Sequence, residues 1–333
     1  MKQYKLTNHS QNFLQVNEIE IPSPMDYEVV IKVGAVSLNY RDILITKNIS
    51  GNETIPLSDG AGTVFRVGKK VSTLKIGDRV AGLFFPDWVG GEVSPLKTRH
   101  ARGGGTQPGM LSDYVTGHES SFTQLPDHLS LEEGATLPCA GVTAWAALNV
   151  GSEIMAGEVV LLQGTGGVSI IALQLAKAKG AQVIITSSQN EKLERAKKLG
   201  ADRLINYKER PDWEKEVFFM TDGRGVDRVI EVGGGGTLEK SIMATRMGGR
   251  ISLIGVLTGF DNKINPVPLF QKNQTLHGIY VGSGEMQKKL GQDMEQFKIQ
   301  PLIDRVFHVE DSLKAYEYLE NGKHFGKVVI KFP

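Results

Sequence analysis

A single cysteine, Cys139, among 333 residues leaves no partner for an intramolecular disulfide and rules out a zinc site built from clustered cysteines. Charge of one sign is missing too: 38 Lys and Arg stand against 37 Asp and Glu, a formal charge of +1. That balance carries no electrostatic footprint for a nucleic-acid partner or an anionic lipid surface. No apolar run reaches the roughly 18 residues of a membrane span, and the opening MKQYKLTNHSQNFLQVNEIE has no apolar h-region of a secretory leader. Internal repeats and Ser/Pro-rich linkers are absent as well. A cytoplasmic protein without membrane or nucleic-acid partners is the expectation, and its length suits about two domains.

Glycine is abundant: 39 residues, where an average chain would have about 7%. The glycines cluster at 60–68, 90–91, 103–109, 164–167, 233–236 and 248–259, each cluster between apolar segments. Glycine is needed where φ is positive or where the backbone approaches another group closely, so these clusters read as turns and ligand-facing loops.

Two patterns divide the chain. Residues 1 to about 120 are β-rich, with strand-like runs YEVVIKVGAVS at 27–37 and GAGTVFRVG at 60–68, and a Gly77-Asp78 turn feeding a third strand before 82. From 120 to 280, helical segments alternate with short apolar strands at 158–163, 181–186, 226–232, 249–254 and 275–281, and 131–138 and 141–148 look helical. Alternation of this kind predicts an α/β fold with a doubly wound parallel sheet. The last 35 residues add a helix near 311–319 and a strand at 327–332.

GTGGVS at 164–169 follows a strand and opens a helix, close to the dinucleotide fingerprint with Ser169 in place of the third glycine. Gly164 makes the tight turn, and Gly166 lets the backbone approach a pyrophosphate. Thr165, Gly167 and Val168 complete a helix start whose N–H groups favour phosphate. The alternative is a tight βα turn of a sugar- or flavin-binding protein. Where NAD-specific sites carry an acid about 20 residues on, this chain has Thr186, Ser187, Ser188, Gln189 and Asn190, then Glu191 and Lys192. Hydroxyls and a nearby cation suit a 2′-phosphate, which favours NADPH with NADH still possible; the plainer reading of Lys192 is a solvated helix residue. The Gly233–Gly236 run follows a strand and reads as a loop where the backbone comes close to a ligand.

VSLNYRD at 36–42, PLSDGAG at 56–62, IGDRVAG at 76–82, ATLPCAGVTAW at 135–145, LQGTGGVS at 162–169, LGAD at 199–202 and GKVVI at 326–330 lie along nearly the whole chain. With these motifs the chain resembles the medium-chain dehydrogenase/reductase superfamily, and within it the zinc-free quinone oxidoreductase-like branch. The resemblance implies a GroES-like β-barrel catalytic domain at 1–122, completed by 298–333, a Rossmann cofactor domain at 123–297, an active site in the cleft and a homodimer joined through the edge strand at 275–281.

Zinc-dependent members place a cysteine, a His-Glu pair after a glycine, and a third ligand at positions that here read Asn39, Ser58-Asp59 and Cys139. Amide and hydroxyl groups are poor zinc partners, so no zinc is expected. The resemblance then implies NADPH-dependent hydride transfer to a small-molecule quinone, enone or related carbonyl. The other readings are an alcohol dehydrogenase or ketone reductase of the same superfamily, or a non-catalytic NADPH-binding sensor. By position, Asn39 is the first candidate for a polar contact near nicotinamide or substrate, and Tyr40 for a hydrogen-bond or proton donor. Plainer roles are a turn closure for Asn39 and barrel packing for Tyr40. Thr143 resembles the threonine near the nicotinamide, Tyr207 a tyrosine near the 2′-phosphate, and Gly255-Val256-Leu257 the segment facing the carboxamide. Lys327 is expected either near the cofactor or solvated at a strand start. Cys139 is either a reactive thiol or an inert small hydrophobe.

Overall fold

The computed structural model describes residues 1–7, 13–47, 54–259 and 263–333. They form two compact units, Met1–Val142 with Gly282–Pro333, and Thr143–Val281.

In the first unit, the β-branched run at 27–37 becomes the strand Glu28–Leu38, buried over most of its length. Along one edge it pairs antiparallel with Asp59–Val67. Along the other it pairs first with Tyr114–His118 and then, from Ala35 onward, with Lys327–Lys331. Changing partners along one edge curls the sheet into a barrel-like form, which Arg79–Gly82, Phe122–Gln124 and Ile303–His308 extend. Inside it Val29, Ile31, Val36, Leu38, Val328 and Ile330 belong to one fully apolar core. The pairing of 35–38 with 328–331 carries the C-terminal strand to the end of the central one, where Asn39 begins a new element.

In the second unit, six strands pair in parallel. Counted along the chain, Val159–Gln163, Gln182–Ser187, Arg203–Asn206, Val226–Glu231, Thr245–Leu253 and Thr275–Gly278 lie in the order 3-2-1-4-5-6. Val226–Glu231 is buried at every residue, as a central strand covered on both faces must be. The strand order reverses between Val159–Gln163 and Val226–Glu231, where doubly wound sheets open a crevice beyond the strands' carboxyl ends.

The helical stretch at 131–148 is broken into three pieces. Leu131–Gly134 and Val142–Asn149 are α-helical, and Leu137–Gly141 between them is a wide π turn. Pro138 lies in that turn, and its missing N–H cannot continue an α-helical ladder.

Candidate active site

At the nucleotide-type turn the fingerprint residues are arranged as their types require. Gly164 has φ of +70°, a left-handed conformation that strains any side chain. A Cβ added at Gly164 or Gly166 would meet nothing within 4 Å. The helix Gly167–Ala178 starts directly after, and Ser169 Oγ donates to the Gln163 carbonyl at 2.7 Å, which packs the helix against its strand. Small Ser169 therefore does the work of the third glycine.

Three loops meet at this end of the sheet. The 233–236 glycines are laced to 255–259: Leu257 N–H donates to the Val232 carbonyl at 3.2 Å and Gly235 N–H to the Gly259 carbonyl at 2.8 Å. Gly236 N–H donates to Thr258 Oγ1 at 2.9 Å. Val256 and Leu257 are exposed. At the end of the neighbouring strand Ser187 is buried, Ser188 half-buried, and Lys192 half-buried in the helix Asn190–Lys198. Tyr207 N–H donates to the Ser187 carbonyl at 3.1 Å, so Tyr207 stands beside this strand end with a half-exposed ring. Thr143 is buried in the helix Val142–Asn149.

The chemistry-bearing cluster of the first unit centres on Asn39. Asn39 precedes the helix Tyr40–Lys47, and the Asp42 carboxylate reaches back to accept its N–H at 2.7 Å. Its backbone thus closes a turn, as the plainer reading held, but its side chain does more. Lys327 Nζ donates to Asn39 Oδ1 at 2.6 Å and to the Leu38 carbonyl at 2.7 Å. An ammonium can only donate, so the amide orientation follows: Oδ1 faces the lysine. Asn39 Nδ2 is covered and has no hydrogen bond of good geometry, though the amide sits close enough to Asp59 to favour its ionised form.

Asp59 is fully buried; Ser58 Oγ donates to its Oδ1 at 2.7 Å and Cys139 N–H to its Oδ2 at 3.0 Å. Cys139 lies in the first part of the π turn, where backbone N–H groups lack ladder partners. Burial pushes the Asp59 carboxyl above the usual range, against the opposing pull of Lys327. Burial also pushes the Cys139 thiol well up, and the Asp59 charge adds to the effect. That favours the inert reading of Cys139 over a reactive thiolate.

Two plain readings are corrected. Lys327 is only 3% exposed, so it is not a solvated strand-start residue. Tyr40 is 52% exposed, so it is not packed in the barrel. Two residues escaped sequence reasoning. Leu57, just before Ser58, is a buried non-glycine with φ of +68°. Glu209 accepts from Asn190 and Asn206 at 2.7 and 2.9 Å, putting a carboxylate near the strand end that reads as acid-free along the chain.

Residues 25–127 match the alcohol dehydrogenase GroES-like domain, and 167–297 the zinc-binding dehydrogenase domain. A zinc-type alcohol dehydrogenase-like protein of Schizosaccharomyces pombe is 41% identical over 329 residues, covering 96% of this chain and 95% of its own. A 2-methylene-furan-3-one reductase of Solanum lycopersicum is 31% identical across 99% of this chain and 79% of its own. The crystal structure of an NAD-dependent alcohol dehydrogenase superposes with a TM-score of 0.89 at 30% identity, covering 99% of each chain. The chain belongs to the medium-chain dehydrogenase/reductase superfamily and is an NAD(P)-dependent oxidoreductase.

The name of the second domain implies zinc, and the donor set does not fit it. Asn39 offers the oxygen that already accepts from a lysine cation, Ser58 is turned to Asp59, and Cys139 is held as a thiol. Zinc takes thiolate, imidazole or carboxylate donors, and the one carboxylate at these positions, Asp59, already accepts from Ser58 Oγ and Cys139 N–H. Among the described residues no three His, Cys, Asp or Glu side chains group as a metal site.

Proposed function

We propose that this protein reduces a small conjugated acceptor, a quinone, an enone or a related carbonyl, with hydride from NADPH and without a metal ion. The observation that carries the reading is the Lys327 ammonium held on Asn39 beside buried Asp59. NADPH, when bound, supplies the hydride. Hydride addition to a conjugated acceptor moves an electron pair onto the carbonyl oxygen, and a proton completes the reduction. No Lewis acid is needed to acidify an alcohol; the protein supplies orientation and a hydrogen-bond donor for the charged oxygen. Asn39, whose Nδ2 is covered in this structure, is the candidate for that donor once a bound acceptor displaces what covers it. Lys327 draws electron density from Oδ1, which strengthens Nδ2 as a donor. Exposed Tyr40 beside it is the second candidate, for the hydrogen bond or the proton.

The open space at Gly164 and Gly166, before a helix of 12 residues, suits a pyrophosphate. Thr165, Gly167 and Val168 complete that cradle. Ser187, Ser188, Lys192 and Tyr207 suit a 2′-phosphate, Gly233 the ribose, and Gly255, Val256, Leu257 and Thr143 the nicotinamide side. The relative named for reducing 2-methylene-furan-3-one, a conjugated ketone, supports the acceptor class. Relatives named alcohol dehydrogenase favour a second reading, alcohol oxidation or ketone reduction. We also propose a homodimer through Thr275–Gly278, the last strand of its sheet, where Leu276 and nearby Tyr280 are exposed. Sedimentation at the monomer mass would refute it. No helix among the described residues is long and apolar enough to cross a membrane, and we retain the cytoplasmic expectation.

Asn39→Leu tests the assignment. Enone reduction should fall about 100-fold, the usual loss for one oxyanion-type donor, with NADPH affinity unchanged. Unaltered turnover would remove Asn39 from the reaction.

A further inference from the structure

Glu231 is fully buried at the carboxyl end of the Val226–Glu231 strand, and none of the roles above uses it. Every partner of its carboxylate is a donor. Oε1 accepts from Gly233 N–H at 2.8 Å, Gly234 N–H at 2.9 Å and Thr237 Oγ1 at 2.6 Å. Oε2 accepts from Ser241 Oγ and from Gln163 Nε2, the latter at 2.6 Å. Gln163 immediately precedes the Gly164 turn, and its own Oε1 accepts from Val232 and Gly233 N–H, both at 3.3 Å. One carboxylate and one amide, 68 residues apart in sequence, thus join two loops.

We infer that Glu231 and Gln163 are positioning residues that lock the 164–167 turn and the 233–236 loop into one arrangement, so that the dinucleotide meets a preformed site. The inference rests on the reading that the cofactor lies at these loops. A buried carboxylate is costly unless each lone pair finds a donor, and here the donors include the backbone of one loop and the residue leading into the other, with the Thr237 and Ser241 hydroxyls completing the set. Neither loop can shift without leaving that charge short of a partner.

The donor and acceptor roles give a specific test. Glu231→Gln turns an NH₂ toward the Gln163 NH₂, two donors facing each other, while its carbonyl still accepts from Gly233 and Gly234. The doubly substituted chain, Gln163→Glu with Glu231→Gln, restores a donor facing an acceptor with the total charge unchanged. NADPH titration by fluorescence should show E231Q binding about tenfold more weakly, the loss expected for one buried pair left unmade. Its KM for NADPH should rise in step, with kcat at saturation nearly unchanged, and the double variant should return close to wild-type affinity. E231Q affinity within twofold of wild type, or a double variant as weak as E231Q, overturns the inference. Should E231Q fail to melt cooperatively, Gln163→Met removes the same link, with the same expected and contrary results. Gly166→Val separates the two levels: loss of binding there with normal binding in E231Q overturns only the clamp, whereas retained binding in Gly166→Val overturns the cofactor placement.

Discussion

Lys327 Nζ lies 2.6 Å from Asn39 Oδ1, across 288 residues of sequence. The contact brings a lysine cation to the residue that stands where zinc-dependent relatives place a cysteine ligand. Its electrostatic reach extends to Asp59, Asp42 and Cys139.

The cation's removal should be costly. Lys327→Met removes the cation that opposes the burial of Asp59 and leaves the Leu38 carbonyl and Asn39 Oδ1 without their donor, a loss of about 1–3 kcal/mol for each buried group left unpaired. Thermal or urea denaturation should show that loss in Lys327→Met and partial recovery when Asp59→Asn is added. Independent, additive effects of the two substitutions would mean that the charges are not coupled.

Asp42 predicts a pH dependence. Burial pushes its carboxyl from 3.8 up to about 6, only partly offset by Arg41. The folded state therefore holds this proton more tightly than the unfolded chain. Its favourable contribution is complete below about 3.8 and is lost as pH rises to about 6. Asp42→Asn keeps an oxygen for the Asn39 N–H and removes the titration. The variant should match wild type near pH 4 and exceed it near pH 7, by an amount of order 2 kcal/mol. A constant stability difference across that range would contradict the assignment.

The fingerprint glycines should respond differently to substitution. Gly164→Ala should lower stability by roughly 1 kcal/mol, because alanine disfavours the left-handed conformation. Gly166 has an extended backbone with open space at its Cβ position. Gly166→Val should therefore melt like wild type yet lose NADPH binding, which calorimetry can measure directly.

Cofactor choice is tested at Lys192. Lys192→Glu should weaken NADPH far more than NADH, since the added carboxylate repels the 2′-phosphate. Equal losses would show that Lys192 does not read that group, and would turn attention to Glu209 beside Asn190.

Much of the second unit was legible along the chain. Apolar strands alternating with helices pointed to the parallel sheet, and the 164–169 turn sits where its glycines required. Periodicity reports which face of an element is buried, and adjacent residues report a turn. Neither reports where a long side chain ends when its partner comes from a distant strand. Lys327 read either as a residue near the cofactor or as a strand-start charge, and its contact with Asn39 stayed hidden because its destination depends on the pairing of Val328 with Leu38. Glu231 was passed over because its donors come from two loops that meet only in the fold. Pro138 marked the break in the helical stretch, but the width of the turn follows from packing.

The central claim is metal-free reduction of a conjugated acceptor, and its most direct test is turnover by chelator-treated, metal-free protein. NADPH oxidation would be followed with a panel of quinones and enones, and NADP⁺ reduction with simple alcohols in parallel. Turnover in the first assay alone is the predicted result. Activity confined to alcohols, or activity that returns only with added zinc, would contradict it.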